Sequence, residues 1–154
     1  MSAGPTRQIV VFTAAGEEYA VPISHVHEII RYTPPRTVAA ADESLRGVIS
    51  LRGKIVPVLD LAARIGLESA GDSDDQSIVI VEAGEQVAGL VVGQVEEVVT
   101  VDESQIDESP AVAGRAIDSI ARIDDRLVLL LSPERLIGSF DMAELSSETE
   151  LRAA

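Results

Sequence analysis

The stretch SLRGVISLRGKIVPVLDL, residues 44–61, decides the fold. It spells SLRG twice and then runs into a long apolar segment, KIVPVLDL. In extended backbone alternate residues share a face, so Ser50, Arg52 and Lys54 fall on one side while Ile49, Leu51 and Ile55 fall on the other. The run is too long for one strand. Arg52-Gly53 is therefore expected to fold it into a hairpin, with Gly53 at positive φ. Gly47 then permits a bend or a close approach where the first strand begins, and Pro57 marks an edge or a bulge. Arg52 is either a solvated cation at a hairpin tip or a docking group held by a carboxylate, most simply Glu28. Arginine suits the second role because its planar fork pairs bidentately and still stacks.

Outside this stretch, composition narrows the choices. The 154 residues suffice for one ordinary domain or two small ones sharing a core. Hydrophobic residues make up 46% and aromatics only 3%, so the core must be built from Val, Ile, Leu and Ala. Cysteine is absent, which removes disulfides, thiolate nucleophiles and cysteine metal sites. A net charge of −14 speaks against nucleic acid and anionic membrane surfaces as partners, because both demand neutralised phosphates. Lys54 is the only lysine, and an acidic, lysine-poor surface of this kind suits high ionic strength, which screens its self-repulsion. No segment approaches the ~20 apolar residues of a membrane span, and the opening MSAGPTRQ has no signal-like apolar region. A cytoplasmic location is expected.

Along the chain the pattern is mostly β. QIVVFT (8–13) and YAVPI (19–23) read as a hairpin around AAGEE, followed by a helical turn through SHVHEI that Ser24 caps and Glu28 ends. TPPRT (33–37) must be a loop, and Asp60 caps a brief helix, LAARIG. SIVIVEA, QVAGLVVG and EVVTVD supply three more strands. AIDSIARID and RLVLLLS form a hairpin about Asp124-Asp125, and Ser132-Pro133 opens a last helix, PERLIG. Many short, frequently turning strands with a few short helices and no long crossover helices indicate an all-β chain of two tandem small barrels. The expected divisions are an N-terminal extension (1–7), a first barrel (8–67), an acidic linker (68–76), a second barrel (77–138) and a polar tail (139–154).

Chemistry is not supported by any spacing. His25 and His27 lack a third ligand for zinc. An EF-hand loop starting at Asp72 would need Gly at Ser77 and Glu at Ala83. Asp124 and Asp125, as neighbours, point apart. No G-x-S-x-G elbow, P-loop or G-x-G-x-x-G occurs. No catalytic residue, cofactor or metal is therefore assigned. A hydrolase working through acidic residues stays a competing reading, and would need converging carboxylates with displaced pKa values in a pocket.

The residues also have a recognisable order. IVVFTAAGEEYAVPISHVHEII, LRGVISLRGKIVPVLDLAARIG, SIVIVEAGEQVAGLVVGQVEEVV and IARIDDRLVLLLSPERLI together resemble the CheW-like family: CheW, the chemotaxis coupling protein, and the related domain at the end of the histidine kinase CheA. The resemblance runs from about Gln8 to Gly138, and GVISLRGKIVPVLDL is its most specific part. It implies two SH3-like β-barrels, no enzymatic activity, and an adaptor that links chemoreceptor cytoplasmic tips to the regulatory domain of a CheA-like kinase. An adaptor of another chemosensory pathway, governing pili or gene expression, would share the fold. By position, Val26, Glu28, Ile29, Gly47 and Arg52 fall where the family contacts receptors or braces that contact, with Gly53 in the supporting turn. Val95, Val98 and Val99 fall on the second barrel, facing the groove between the two. Gly93 stands where the family commonly has Asp, Ala62 where it usually has Arg, and Ser132 where it often has Asp.

Overall fold

A computed structural model describes residues 5–39, 43–69, 71, 73–108 and 116–138; residues 1–4, Asp72 and the polar tail 139–154 lie outside the described residues. Among the described residues eleven strands follow in chain order: β1 (Thr6–Ala14), β2 (Glu17–Pro22), β3 (Val26–Arg31), β4 (Leu45–Leu51), β5 (Lys54–Asp60), β6 (Ser77–Ala83), β7 (Gln86–Val92), β8 (Val95–Asp102), β9 (Ile106–Asp107), β10 (Ile117–Ile123) and β11 (Arg126–Leu131). Also among the described residues are two short helices, α1 (Leu61–Arg64) and α2 (Pro133–Gly138), and 3-10 turns at Ile23–His25 and Glu103–Gln105. No helix among the described residues is long and apolar enough to cross a membrane.

The strands form a six-stranded sheet, β8-β1-β2-β11-β10-β9, and a five-stranded sheet, β3-β6-β7-β5-β4. The expected division into barrels at 8–67 and 77–138 does not follow these sheets. β1 and β2, from the first half, pair with β8 and β11 from the second, while β6 and β7 complete the sheet that holds β3–β5. The segment 68–76 is accordingly no link between barrels: it joins α1 to β6, both belonging to the five-stranded unit. Its backbone is pinned there. Arg46 Nη2 and Gln76 Nε2 both donate to the Gly71 carbonyl, at 2.7 and 2.9 Å. The chain passes between sheets at 22–26 and 93–94.

Alternation explains the packing. On β1, Ile9 and Val11 enter the interior of the six-stranded unit with Ala20, Ala121 and Leu130, while Val10 and Phe12 face a core shared by both units. On β6, Ile78 and Ile80 enter the five-stranded interior, while Val79 and Val81 face the shared core. Strands buried on both faces must read as unbroken apolar runs, and these do. β3 alternates half-buried and exposed residues because only one of its faces is covered. α2 leaves the six-stranded sheet and seats Leu136 and Ile137, both fully buried, in the shared core. Arg64 of α1 donates from Nε to the Leu136 carbonyl at 2.8 Å. With Val, Leu and Ile burial worth ~1.5–3 kcal/mol each, the core shared by both sheets holds the two units together.

Three local expectations meet a different outcome. SHVHEI is a 3-10 turn and then strand: Ser24 makes no cap, since Pro22 stands at that position without a side-chain hydrogen bond, and Glu28 lies on β3. β3's alternation, Val26, Glu28 and Ile30 inward, overrides the helix signal. Pro57 is on neither an edge nor a bulge. It sits opposite Val48, whose N–H and C=O bond Arg36 on the far side, so the donor Pro57 lacks would point towards β7, where pairing starts only at Val58. The remaining hairpins and caps form as read, including Asp60 over α1 and the Asp124-Asp125 turn.

Candidate functional site

Leu51 pairs with Lys54, leaving Arg52-Gly53 as a two-residue loop with φ of 53° and 81°. Positive φ at both positions is the hairpin geometry whose twist matches the flanking strands. A non-glycine residue there costs ~1–2 kcal/mol, and Arg52 carries that cost. The loop aims its guanidinium at Glu28: Nη1 lies 3.2 Å from Oε2 and Nη2 donates to Oε1 at 3.4 Å. β3 and β4 are the two end strands of their sheet, so this pair crosses the seam where the sheet curls back on itself. Glu28 is only 21% exposed and Arg52 74%. Glu28 Oε2 is buried and accepts no aligned hydrogen bond; the Arg52 charge holds it, and His27 Nε2 lies 3.9 Å away. Beside the pair is a groove of about 380 Å³ lined by His27, Leu51, Lys54, Ile55, Glu85 and Val87.

Gly47 acts from beneath. Its φ is 149°, and a Cβ there would lie 2.2 Å from the Arg36 carbonyl oxygen. Arg36 and Val48 exchange two backbone hydrogen bonds, of 2.8 and 2.9 Å, so the loop TPPRT lies against β4 where only glycine admits it. Ile29 is 43% exposed on β3, whereas Val26 is half-buried against the shared core. Glu28, Ile29, Arg52 and Gly53 thus share the seam of the five-stranded unit, with Gly47 supporting it.

Val95, Val98 and Val99 lie on the other sheet, and only Val98 faces solvent, at 51% exposure. Val95 packs on the shared core and Val99 on the six-stranded interior. A depression of about 470 Å³ opens beside β8, where the chain crosses between sheets, lined by Arg7, Gln8, Pro22, Ile23, Ser24 and Thr100. Ile23, 38% exposed, belongs with this surface. Its place at the start of a crossing segment left no mark in the sequence.

A second cluster was legible only in part. Arg46 Nη2 donates to Asp60 Oδ2 at 2.9 Å with side-chain exposures of 12% and 3%, and Arg46 also reaches the Tyr32 hydroxyl at 3.3 Å. Burial alone would raise the Asp60 pKa, but hydrogen bonds from Ser69, Arg46 and the Ala63 N–H outweigh it and hold the carboxyl below its ordinary range. This is a structural pin, tying β4 and the start of α1 to Ser69 and Gly71. At the β8 bulge, Glu96 is shifted the other way, by hydrogen bonding to Glu18, on an exposed surface shared with Glu97 and Arg126. Among the described residues no group of His, Asp or Glu is placed to hold a metal ion.

The departures from the family pattern have local causes. A Cβ on Gly93 would meet the Thr13 hydroxyl at 2.3 Å, and that hydroxyl already accepts from the Gln94 N–H. Ser132 caps α2, its hydroxyl accepting from Arg135 N at 3.3 Å. Ala62 is fully buried in α1.

The CheW-like domain family matches residues 8–141. The chain is 32% identical to a probable chemotaxis protein CheW of Rhizobium etli over 152 residues, covering 96% of this chain and 92% of that one. It is 29% identical to the chemotaxis protein CheW of Klebsiella aerogenes, covering 89% and 85%. The crystal structure of the scaffolding protein TtCheW from Thermoanaerobacter tengcongensis superposes with a TM-score of 0.80 at 37% identity, covering 86% of this chain and 92% of that one. The two sheets are therefore the pair of SH3-like β-barrels that the sequence resemblance implied, and the chain belongs to the CheW-like family of chemotaxis adaptors.

Proposed function

We propose that this chemotaxis adaptor holds the cytoplasmic tips of chemoreceptors and the regulatory domain of a CheA-like histidine kinase in one array, on the cytoplasmic side, without making or breaking covalent bonds. The receptor segment docks along the five-stranded seam and the depression beside β8. What carries this reading is the placement of exposed apolar side chains, Ile23, Ile29 and Val98, on a frame whose three cores leave little freedom between the barrels. A surface ordered beforehand loses little entropy on binding, and a few residues then dominate the affinity. Val26, Glu28, Gly47 and Gly53 support the surface, while Ile29, Arg52 and Val98 meet the partner. Val95 and Val99 hold β8 in place behind Val98. The kinase domain is expected, from the family resemblance, chiefly on the second half of the chain, 77–138.

The test is a pull-down in which the immobilised chain is offered a receptor-tip fragment and the kinase regulatory domain. Retention of both together, with no turnover of generic ester or glycoside substrates, is expected. Failure to retain either partner, or turnover abolished by a carboxylate substitution, would overturn the reading.

A further inference from the structure

Among the described residues, five arginines pair with carboxylates: Arg7 with Glu103, Arg46 with Asp60, Arg52 with Glu28, Arg122 with Asp107, and Arg126 with Glu18 and Glu97. Arg31 and Arg36 do not; both are exposed, and neither side chain is in an ion pair among the described residues. In a chain of net charge −14, two such arginines at one place are conspicuous.

The topology brings them together. β3 runs antiparallel to β6, β6 to β7, β7 parallel to β5, and β5 antiparallel to β4, so β3 and β4 run in opposite senses along the seam. With Glu28 facing Arg52, three residues forward on β3 is Arg31, and three residues back on β4 is Ile49. Its neighbour Val48 holds Arg36 by two backbone hydrogen bonds. Arg31 and Arg36 therefore share the end of the seam opposite the hairpin tip. A depression of about 320 Å³ bounded by Tyr32, Pro34, Pro35 and Thr37 adjoins them. Arg52 and Lys54 stand at the other end, and exposed Ile29 lies between.

We infer that this strip, cationic at both ends and apolar in the middle, is a recognition surface for an acidic amphipathic helix, with Arg31 and Arg36 as its carboxylate-reading end. The inference rests on the adaptor reading and adds the chemistry of the docked segment. Three strand residues span about 10 Å, which equals about seven residues of α-helix at 1.5 Å each. The partner helix accordingly presents carboxylates about seven residues apart on one face, with an apolar residue midway that covers Ile29. Arginine suits both ends, since a guanidinium reads a carboxylate bidentately, and Arg52 keeps outward donors while holding Glu28. Gly47 gains a role here, because seating the TPPRT loop is what presents Arg36.

The test measures binding of a receptor-tip fragment to the full chain over a range of salt concentrations, using wild type, R31E/R36E, R31Q/R36Q and R122E. Wild-type affinity is expected to fall as salt rises. R31Q/R36Q should bind about 10-fold more weakly at low salt, with R31E/R36E weaker still, and both differences should shrink at high salt. R122E, on the other barrel, should match wild type. Replacing the fragment's acidic residues by Gln should produce the same loss and abolish its sensitivity to R31E/R36E. Unchanged affinity and salt dependence in both double variants, with wild type binding, would overturn the inference and leave the adaptor reading standing. A wild-type chain that does not bind the fragment overturns both.

Discussion

Replacing Gly47 by alanine tests how the docking surface is built. The new Cβ would sit 2.2 Å from the Arg36 carbonyl oxygen and 2.7 Å from its carbon, both backbone atoms that cannot turn aside. The loop must lift, breaking the two Arg36–Val48 hydrogen bonds, each worth ~1 kcal/mol net. A φ of 149° adds backbone strain, ~1–3 kcal/mol for a residue with a side chain. Together the loss is about 3–5 kcal/mol. For a domain of this size that lowers Tm by roughly 10 °C, and urea unfolding should show a lower midpoint at unchanged slope. The same variant should bind the receptor tip poorly at temperatures where it remains folded, because Arg36 is no longer presented. A stability loss below about 1 kcal/mol, with receptor binding intact, would refute the claim that the loop is seated through this glycine.

Other substitutions separate folding from docking. Arg52→Ala removes an exposed partner of Glu28 and should cost less than about 1 kcal/mol of stability. Receptor binding should weaken about 30-fold, or ~2 kcal/mol; a titration showing no change would remove Arg52 from the surface. Asp60 has a folded-state pKa below its unfolded value, so its stabilisation is fully present above about pH 4 and is lost as pH falls through the lower folded value. Asp60→Asn should flatten that acid limb in pH-dependent unfolding and remove the buried carboxylate that faces Arg46, at a cost of ~3 kcal/mol at neutral pH. An unchanged acid limb would show that the pin contributes nothing there. Gly93→Asp should destabilise by ~2 kcal/mol through its clash with Thr13, and Thr13→Gly should recover part of that in a double-mutant cycle. Additive effects would mean that Thr13 does not exclude a side chain at position 93.

Much of the strand pattern was legible because burial leaves a local trace. Runs such as IVVF and IVIV are apolar on both faces, and the structure buries both faces of β1 and β6. The hairpins at Ala15-Gly16 and Arg52-Gly53 were readable because turn chemistry is set by two residues. Sheet membership was not legible. The pairings of β1 with β8 and β2 with β11 join residues far apart in sequence, and an edge that accepts one strand accepts another equally well, so the two barrels were legible but not which strands each one holds. Glu28 was misread as a helix end because Ser24 offered a cap, and the period-2 alternation from Val26 was too short to outweigh it. Asp60 was visible as a cap, yet its pairing with Arg46 depends on β4 and β5 lying side by side, which no local pattern encodes. Arg31 and Arg36 acquire meaning only once β3 and β4 are known to meet across the seam.

The central claim is simultaneous docking on one rigid frame, and sedimentation of a mixture tests it most directly. The chain, a receptor-tip fragment and the kinase regulatory domain should co-sediment as one ternary species, with Arg52→Ala dropping the receptor fragment while the kinase domain stays bound. Mutually exclusive binding of the two partners, seen as two binary species and no ternary one, would contradict the account.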